Sequence, residues 1–236
     1  MTIAMRAGVA AIAAVALGIG LSGCGSGSEN EESSAGLASA TSESAATSAE
    51  STSAEPTPPP QAGPGMTIDQ YVEENGIVAT PVLKGDPGAP TITLPLPDGW
   101  EEAGPDGPEG AYDALVYTAS PPSPTPPTIV AVVTKLTGDV DPAKIVEYAP
   151  NEMRTLSGFE GPEAGQKSDL GGFAATQIGG FYTKDGVNRL IAQKTVIIPG
   201  QDGMFVLKIT ADGSEDLAMQ MMEATAAIDE QTTIVP

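Results

Sequence analysis

Histidine is absent from all 236 positions, and cysteine occurs once, at Cys24. Together these facts remove most of the chemistry that side chains perform near neutral pH. Without an imidazole there is no Ser-His-Asp or Cys-His relay, no HExxH zinc site and no histidine general base. With one thiol there is no intrachain disulfide, and zinc or copper lose their ordinary ligands. What remains is carboxylate: 31 Asp and Glu against 10 Lys and Arg. A paired-carboxylate hydrolase needs only acids, yet among the 25 in residues 66–236 no pair stands out. Neither SxxK nor GxSxG occurs there. Asp139-Val140-Asp141 begins like a calcium loop, but Ala143 holds the fifth position and Lys144 the sixth, where glycine is required. Asp141 reads better as a helix cap. Asp212, Glu215 and Asp216 likewise read as acids at a helix start and not as a metal cluster. The expectation is a protein without catalysis, metal or cofactor.

The remaining reactive group is the thiol of Cys24, and its surroundings say what it is for. Met1–Arg6 carries one cationic side chain, and Ala7–Gly20 is an uncharged apolar run of 14 residues. That is too short to cross ~30 Å of hydrocarbon comfortably, and it has the length of a signal-peptide core. Leu21-Ser22-Gly23-Cys24 follows at once. The tetrapeptide resembles the bacterial lipobox, in which the thiol is joined to a diacylglycerol and the bond before it is cut. Residues 1–23 are therefore expected to be a lipoprotein signal peptide, with Cys24 the lipidated residue. Two or more acyl chains hold a membrane firmly where one does not.

Residues 24–65 begin with that cysteine and continue without an aromatic residue, Lys or Arg. Ser, Thr, Ala, Gly, Pro and six Glu bury too little apolar surface to offset the entropy of ordering. A disordered tether is expected, with an r.m.s. reach of roughly 35 Å. Residues 66–236 are then a single folded domain. Its 25 acids and 9 bases leave a net charge of −16. Such a surface repels phosphate backbones, so no nucleic-acid partner is expected.

Within the domain, Met66–Asn75 reads as a short helix capped by Thr67 and ended by Gly76. Thr91–Leu96, Tyr112–Ala119 and Thr128–Thr134 read as strands, with the five-proline stretch 121–127 a loop between the last two. Asp141-Pro142 opens a helix that runs towards Leu156, where Pro150 is expected to kink or divide it. Phe173–Thr183, Val187–Ile198 and Met204–Thr210 are strands joined by Asp185-Gly186 and Asp202-Gly203 turns. Ser214–Asp229 is the last helix, capped by Asp212 or Ser214. Hairpin-linked strands with helices before, between and after them predict an α+β fold, an antiparallel β-sheet flanked by helices.

Several residues are candidates for binding. Trp100, the only tryptophan, is either a stacking platform for a sugar or a core anchor, and the core reading is favoured. The last helix carries Leu217, Met219, Met221 and Met222 in six residues, with Ala218, Ala224 and Ile228 spreading apolar surface around its circumference. Docking on a sheet needs one stripe, and methionine adapts to soft apolar ligands such as acyl chains. The alternative is a wedged helix whose methionines fill gaps. Phe181, Tyr182, Met204 and Phe205 are placed in the same cavity or in ordinary core. The proline loop is a rigid connector or a docking ligand.

The lipobox, the Ser/Pro-rich tether, Leu94-Pro95-Leu96-Pro97-Asp98-Gly99-Trp100, Asp141-Pro142-Ala143, the Gln193–Ile198 strand and the methionine-rich helix occur in this order. Taken together they resemble the LpqN/LpqT family of mycobacterial envelope lipoproteins over most of residues 66–232. The resemblance implies a Mog1/PsbP-like α/β/α sandwich and a role in cell-envelope biogenesis. It also implies handling of envelope glycolipids and association with lipid-exporting transporters. It carries no catalytic motif onto named positions. The expected function is that of a non-enzymatic, membrane-anchored lipoprotein binding acyl chains or glycolipids in a cleft between sheet and last helix. The alternative is an adaptor that docks on a transporter and has no lipid cavity.

Overall fold

The computed structural model describes residues 65–119 and 125–236. The signal peptide, Leu21–Cys24 and the tether lie outside them, as does most of the proline loop.

The described chain opens with α1 (Ile68–Glu74). The Thr67 hydroxyl accepts from the Gln70 amide at 3.3 Å, and the Gln70 side-chain oxygen accepts from the Thr67 amide at 2.9 Å. This reciprocal cap satisfies donors that a helix start leaves bare. Gly76, at φ 61°, turns the chain into β1 (Val78–Val82). β2 (Thr91–Thr93) is shorter than expected, because Pro95 and Pro97 supply no amide for a ladder. β3 (Trp100–Glu102), β4 (Asp113–Tyr117) and β5 (Thr128–Thr137) follow.

α2 spans Pro142–Arg154, and the Asp141 carboxylate accepts from the Ala143 amide at 2.8 Å. The helix is continuous through Pro150, so the proline does not divide it, one of the two expected outcomes. Ile145, Ala149, Pro150 and Met153 are all buried in one stripe, and that packing outweighs the roughly 3 kcal/mol an interior proline costs. The chain continues through β6 (Gln166–Leu170), β7 (Phe173–Lys184), β8 (Val187–Gly200) and β9 (Gly203–Ser214). Asp185 and Gly186, at φ 53° and 77°, form the two-residue turn between β7 and β8. After a 3-10 turn at Glu215–Leu217, α3 runs Ala218–Gln231 and β10 covers Thr233–Val235.

The sheet order is β3-β4-β5-β9-β8-β7-β6, and β1 shares one edge of β5 with β4. Every pairing is antiparallel. A separate ribbon pairs β10 with β2, placing Ile234 opposite Ile92. Side chains alternate across the sheet. Val196, Ile198, Leu207 and Ile209 pack towards Met221, Ala224 and Ile228 of α3. Ile197, Met204 and Val206 pack towards Ile68, Tyr71, Ile145 and Ala149 of α1 and α2. The central strands are thus buried on both faces, which is why 196–198 and 204–207 read as unbroken apolar runs. The expected α+β sandwich, an antiparallel sheet between helical layers, is what the chain forms.

Two further departures bear on the site. β9 extends to Ser214, paired with Arg189 of β8, so α3 starts four residues later than expected. Asp212 is therefore a strand residue and not a helix cap. Its two oxygens accept from Arg189 Nε at 2.9 Å and from the Tyr182 hydroxyl at 3.0 Å.

Candidate functional site

On the α3 face, strands β6 to β9 leave part of their width uncovered, and a half-open cleft of about 400 Å³ lies between sheet and helix. That volume is within the ~300–1,000 Å³ range of small-molecule sites. Its floor comes from four neighbouring strands: Gln166, Gln177 and Gly179, Ala192 and Lys194, Ile209 and Ala211. Thr225, Ile228 and Asp229 of α3 form one wall, and Pro162 stands across from them. The cleft exists because of residue size. Gly179, Ala192 and Ala211 are small residues among its lining.

Lys194 is the only cation among the lining residues. Its side chain is 11 % exposed, and its Nζ lies 2.7 Å from Asp229 Oδ1 on α3. This pair ties the middle of β8 to the last turns of α3 at the cleft wall. The largely buried ammonium is the charge that needs a partner, and the more exposed Asp229 carboxylate supplies it. The result is a mainly apolar groove with one ion pair at its rim.

The six residues expected to line a cavity do not meet there. Met219 and Met222 are 62 % and 60 % exposed, on the solvent arc of α3. Neither lines this cleft, which corrects their expected role. Leu217 is buried in the 3-10 turn before α3. Met204 packs on the opposite side of the sheet with α1 and α2. Phe181 pairs with Leu190 of β8 and its backbone bridges Glu160, outside the lining of the cleft. Trp100 is 4 % exposed in the α3-side core, edge-to-face with Tyr117 at 5.6 Å between ring centroids. The core reading of Trp100 therefore holds. Ala192, Ala211, Gly179 and Lys194 were missed. A small residue inside otherwise bulky strands is the sequence signal for the first three; Lys194 has none.

Against this geometry, the comparison with known proteins is direct. A family model described as "Probable lipoprotein LpqN" matches residues 64–235. The chain belongs to the LpqN family of lipoproteins. "Lipoprotein LpqN" of Mycobacterium tuberculosis (strain ATCC 25618 / H37Rv) is 50% identical over 175 residues, covering 74% of this chain and 76% of the relative. "Putative lipoprotein LpqT" of Mycobacterium leprae (strain TN) is 26% identical over 132 residues, 56% of this chain and 57% of that one. The crystal structure of M. tuberculosis LpqN, described as involved in cell envelope biogenesis, superimposes with a TM-score of 0.70 and covers 74% of this chain and all of that one. The LpqN match ends one residue short of the C-terminus, so it takes in the sheet, α3 and the cleft between them.

Proposed function

We propose that this LpqN-family protein is an envelope lipoprotein held to the outside of the cell membrane by a lipid on Cys24. In its cleft it carries the acyl chain of a lipid or glycolipid, which it passes to or from a membrane transporter. Residues 1–23 are the signal peptide, 24–65 the tether and 66–236 the carrying domain. The function involves no catalysis and no cofactor. The observation that carries the lipid reading is the cleft under α3, where Gly179, Ala192, Ile209 and Ala211 of three strands make an apolar floor edged by Gln166, Gln177 and Lys194. The lipobox at Leu21, Ser22, Gly23 and Cys24 and the description of the M. tuberculosis relative support the setting.

The experiment is native mass spectrometry of the mature chain, with Cys24→Ser to leave it soluble, purified from a mycobacterial host. The reading predicts a co-purified species of lipid mass that is lost on delipidation and regained on adding an acyl ligand. A delipidated protein that regains nothing from any acyl ligand would falsify it. An adaptor role without lipid is favoured by a separate observation, the exposure of Met219 and Met222 on the outer face of α3. Recovery of a transporter by crosslinking, with no lipid bound, would support that reading instead.

A further inference from the structure

On the other flank of α3 lies a second hollow, of about 530 Å³, and its chemistry is the reverse of the cleft's. Pro95–Asp98 form one side, and Gln220, Glu223, Ala227 and Gln231 of α3 form the other. The Trp100–Tyr117 pair lies between them. The polar groups in this hollow are rich in acceptors. Among the described residues, neither Asp98 nor Glu223 takes part in an ion pair. The side-chain oxygen of Gln220 is buried with no hydrogen-bond partner. A buried acceptor without a donor is destabilising, so the site favours whatever brings one.

We infer that this hollow is a docking site for an arginine side chain on a basic segment of a partner protein. A guanidinium brings five N–H donors in a planar fork and a charge that never leaves it. Asp98 and Glu223 supply opposite charge, Gln220 the orphaned acceptor, and the half-buried Tyr117 ring, backed by the buried Trp100, an aromatic face for a cation. An anionic ligand is repelled by both carboxylates, and an apolar one leaves them desolvated and unpaired. The rim fits a protein partner: Leu96 is 59 % exposed at the hollow's edge, and Met219, one turn before Glu223, is 62 % exposed. Arginine held centrally within an apolar rim is a recurrent arrangement at protein interfaces. The net charge of the domain, −16 across residues 66–236, steers a basic segment towards it. The inference does not depend on the cleft holding lipid.

Trp100 is the only tryptophan, so its emission reports on this hollow alone. The test titrates the mature chain, Cys24→Ser, with the peptide acetyl-Leu-Arg-Arg-Leu-amide and with its citrulline counterpart, which keeps the shape and loses the charge. Saturable change is expected with the arginine peptide and at least tenfold weaker binding with citrulline. Glu223→Gln and Asp98→Asn should each weaken the arginine peptide at least fivefold, while Asp202→Asn, in the β8–β9 turn, leaves it unchanged. Equal binding of both peptides, or no saturable response, overturns the inference. So does a response to methyl glucoside in place of the peptide, which would make the hollow a polyhydroxyl site. An Asp202→Asn effect as large as that of Glu223→Gln would assign the binding to the general field of the domain, and also overturns it.

Discussion

Asp212 shows how one residue can be read correctly as polar and wrongly as placed. In the sequence it precedes Glu215 and Asp216 and looks like an acid at a helix start. In the fold it is the centre of a cross-strand network with Arg189 and Tyr182, both largely buried. Asp212→Ala should cost about 3 kcal/mol in urea unfolding, because it leaves a buried guanidinium without its partner. Burial first, then the Asp212 charge, hold the Tyr182 hydroxyl above its ordinary pKa of 10. The folded state therefore keeps this proton longer than the unfolded chain does. The resulting stability is complete below pH 10 and is lost as pH rises through the higher folded value. Tyr182→Phe should flatten the fall in stability above pH 10, as read by urea midpoints at pH 8 and pH 11. It should also lose about 1 kcal/mol at pH 8 with the hydrogen bond.

The last helix sets the limit on what patterning reveals. Its apolar residues were legible, but the side of the helix that meets the sheet was not. Apolar positions all around one helix leave the phase undetermined until the partner surface is known. In the fold Met221, Ala224 and Ile228 dock on the sheet, and Met219 and Met222 turn outward. Met221→Ala should therefore cost about 2–4 kcal/mol, a core cavity, and Met222→Ala less than about 0.5 kcal/mol, compared in the same denaturation series. The other elements divide by the same logic. The strands β7, β8 and β9 and the starts of α1 and α2 were readable, because paired turns and capping residues mark them locally. β1, β6 and β10 were not. β6 (Gln166–Leu170) buries only Leu170, and β10 becomes a strand only through Ile92 of distant β2. No window of sequence contains that information. α2 was expected to kink or divide at Pro150, and it is not divided, because tertiary packing overrode local preference.

At the scale of the whole chain, anchor, tether and cleft form one account. The proposed anchor rests on Cys24 and the three residues before it. Cys24→Ala should abolish incorporation of an alkyne fatty acid in growing cells and move the protein from the membrane fraction to the soluble one. A labelled Cys24→Ala chain would contradict the lipobox reading. The cleft was legible only as a place, between sheet and last helix. Its lining of small strand residues depends on four strands meeting in register. The central claim is that this cleft holds an acyl chain, and fluorescence titration of a conjugated polyene fatty acid into the delipidated Cys24→Ser chain tests it most directly. The account predicts saturable uptake at one site. It also predicts that Ala192→Trp, which fills the floor of the cleft, abolishes uptake while the unfolding midpoint stays within the range of a surface change. Uptake undiminished in Ala192→Trp, or none in the unfilled protein, would contradict it.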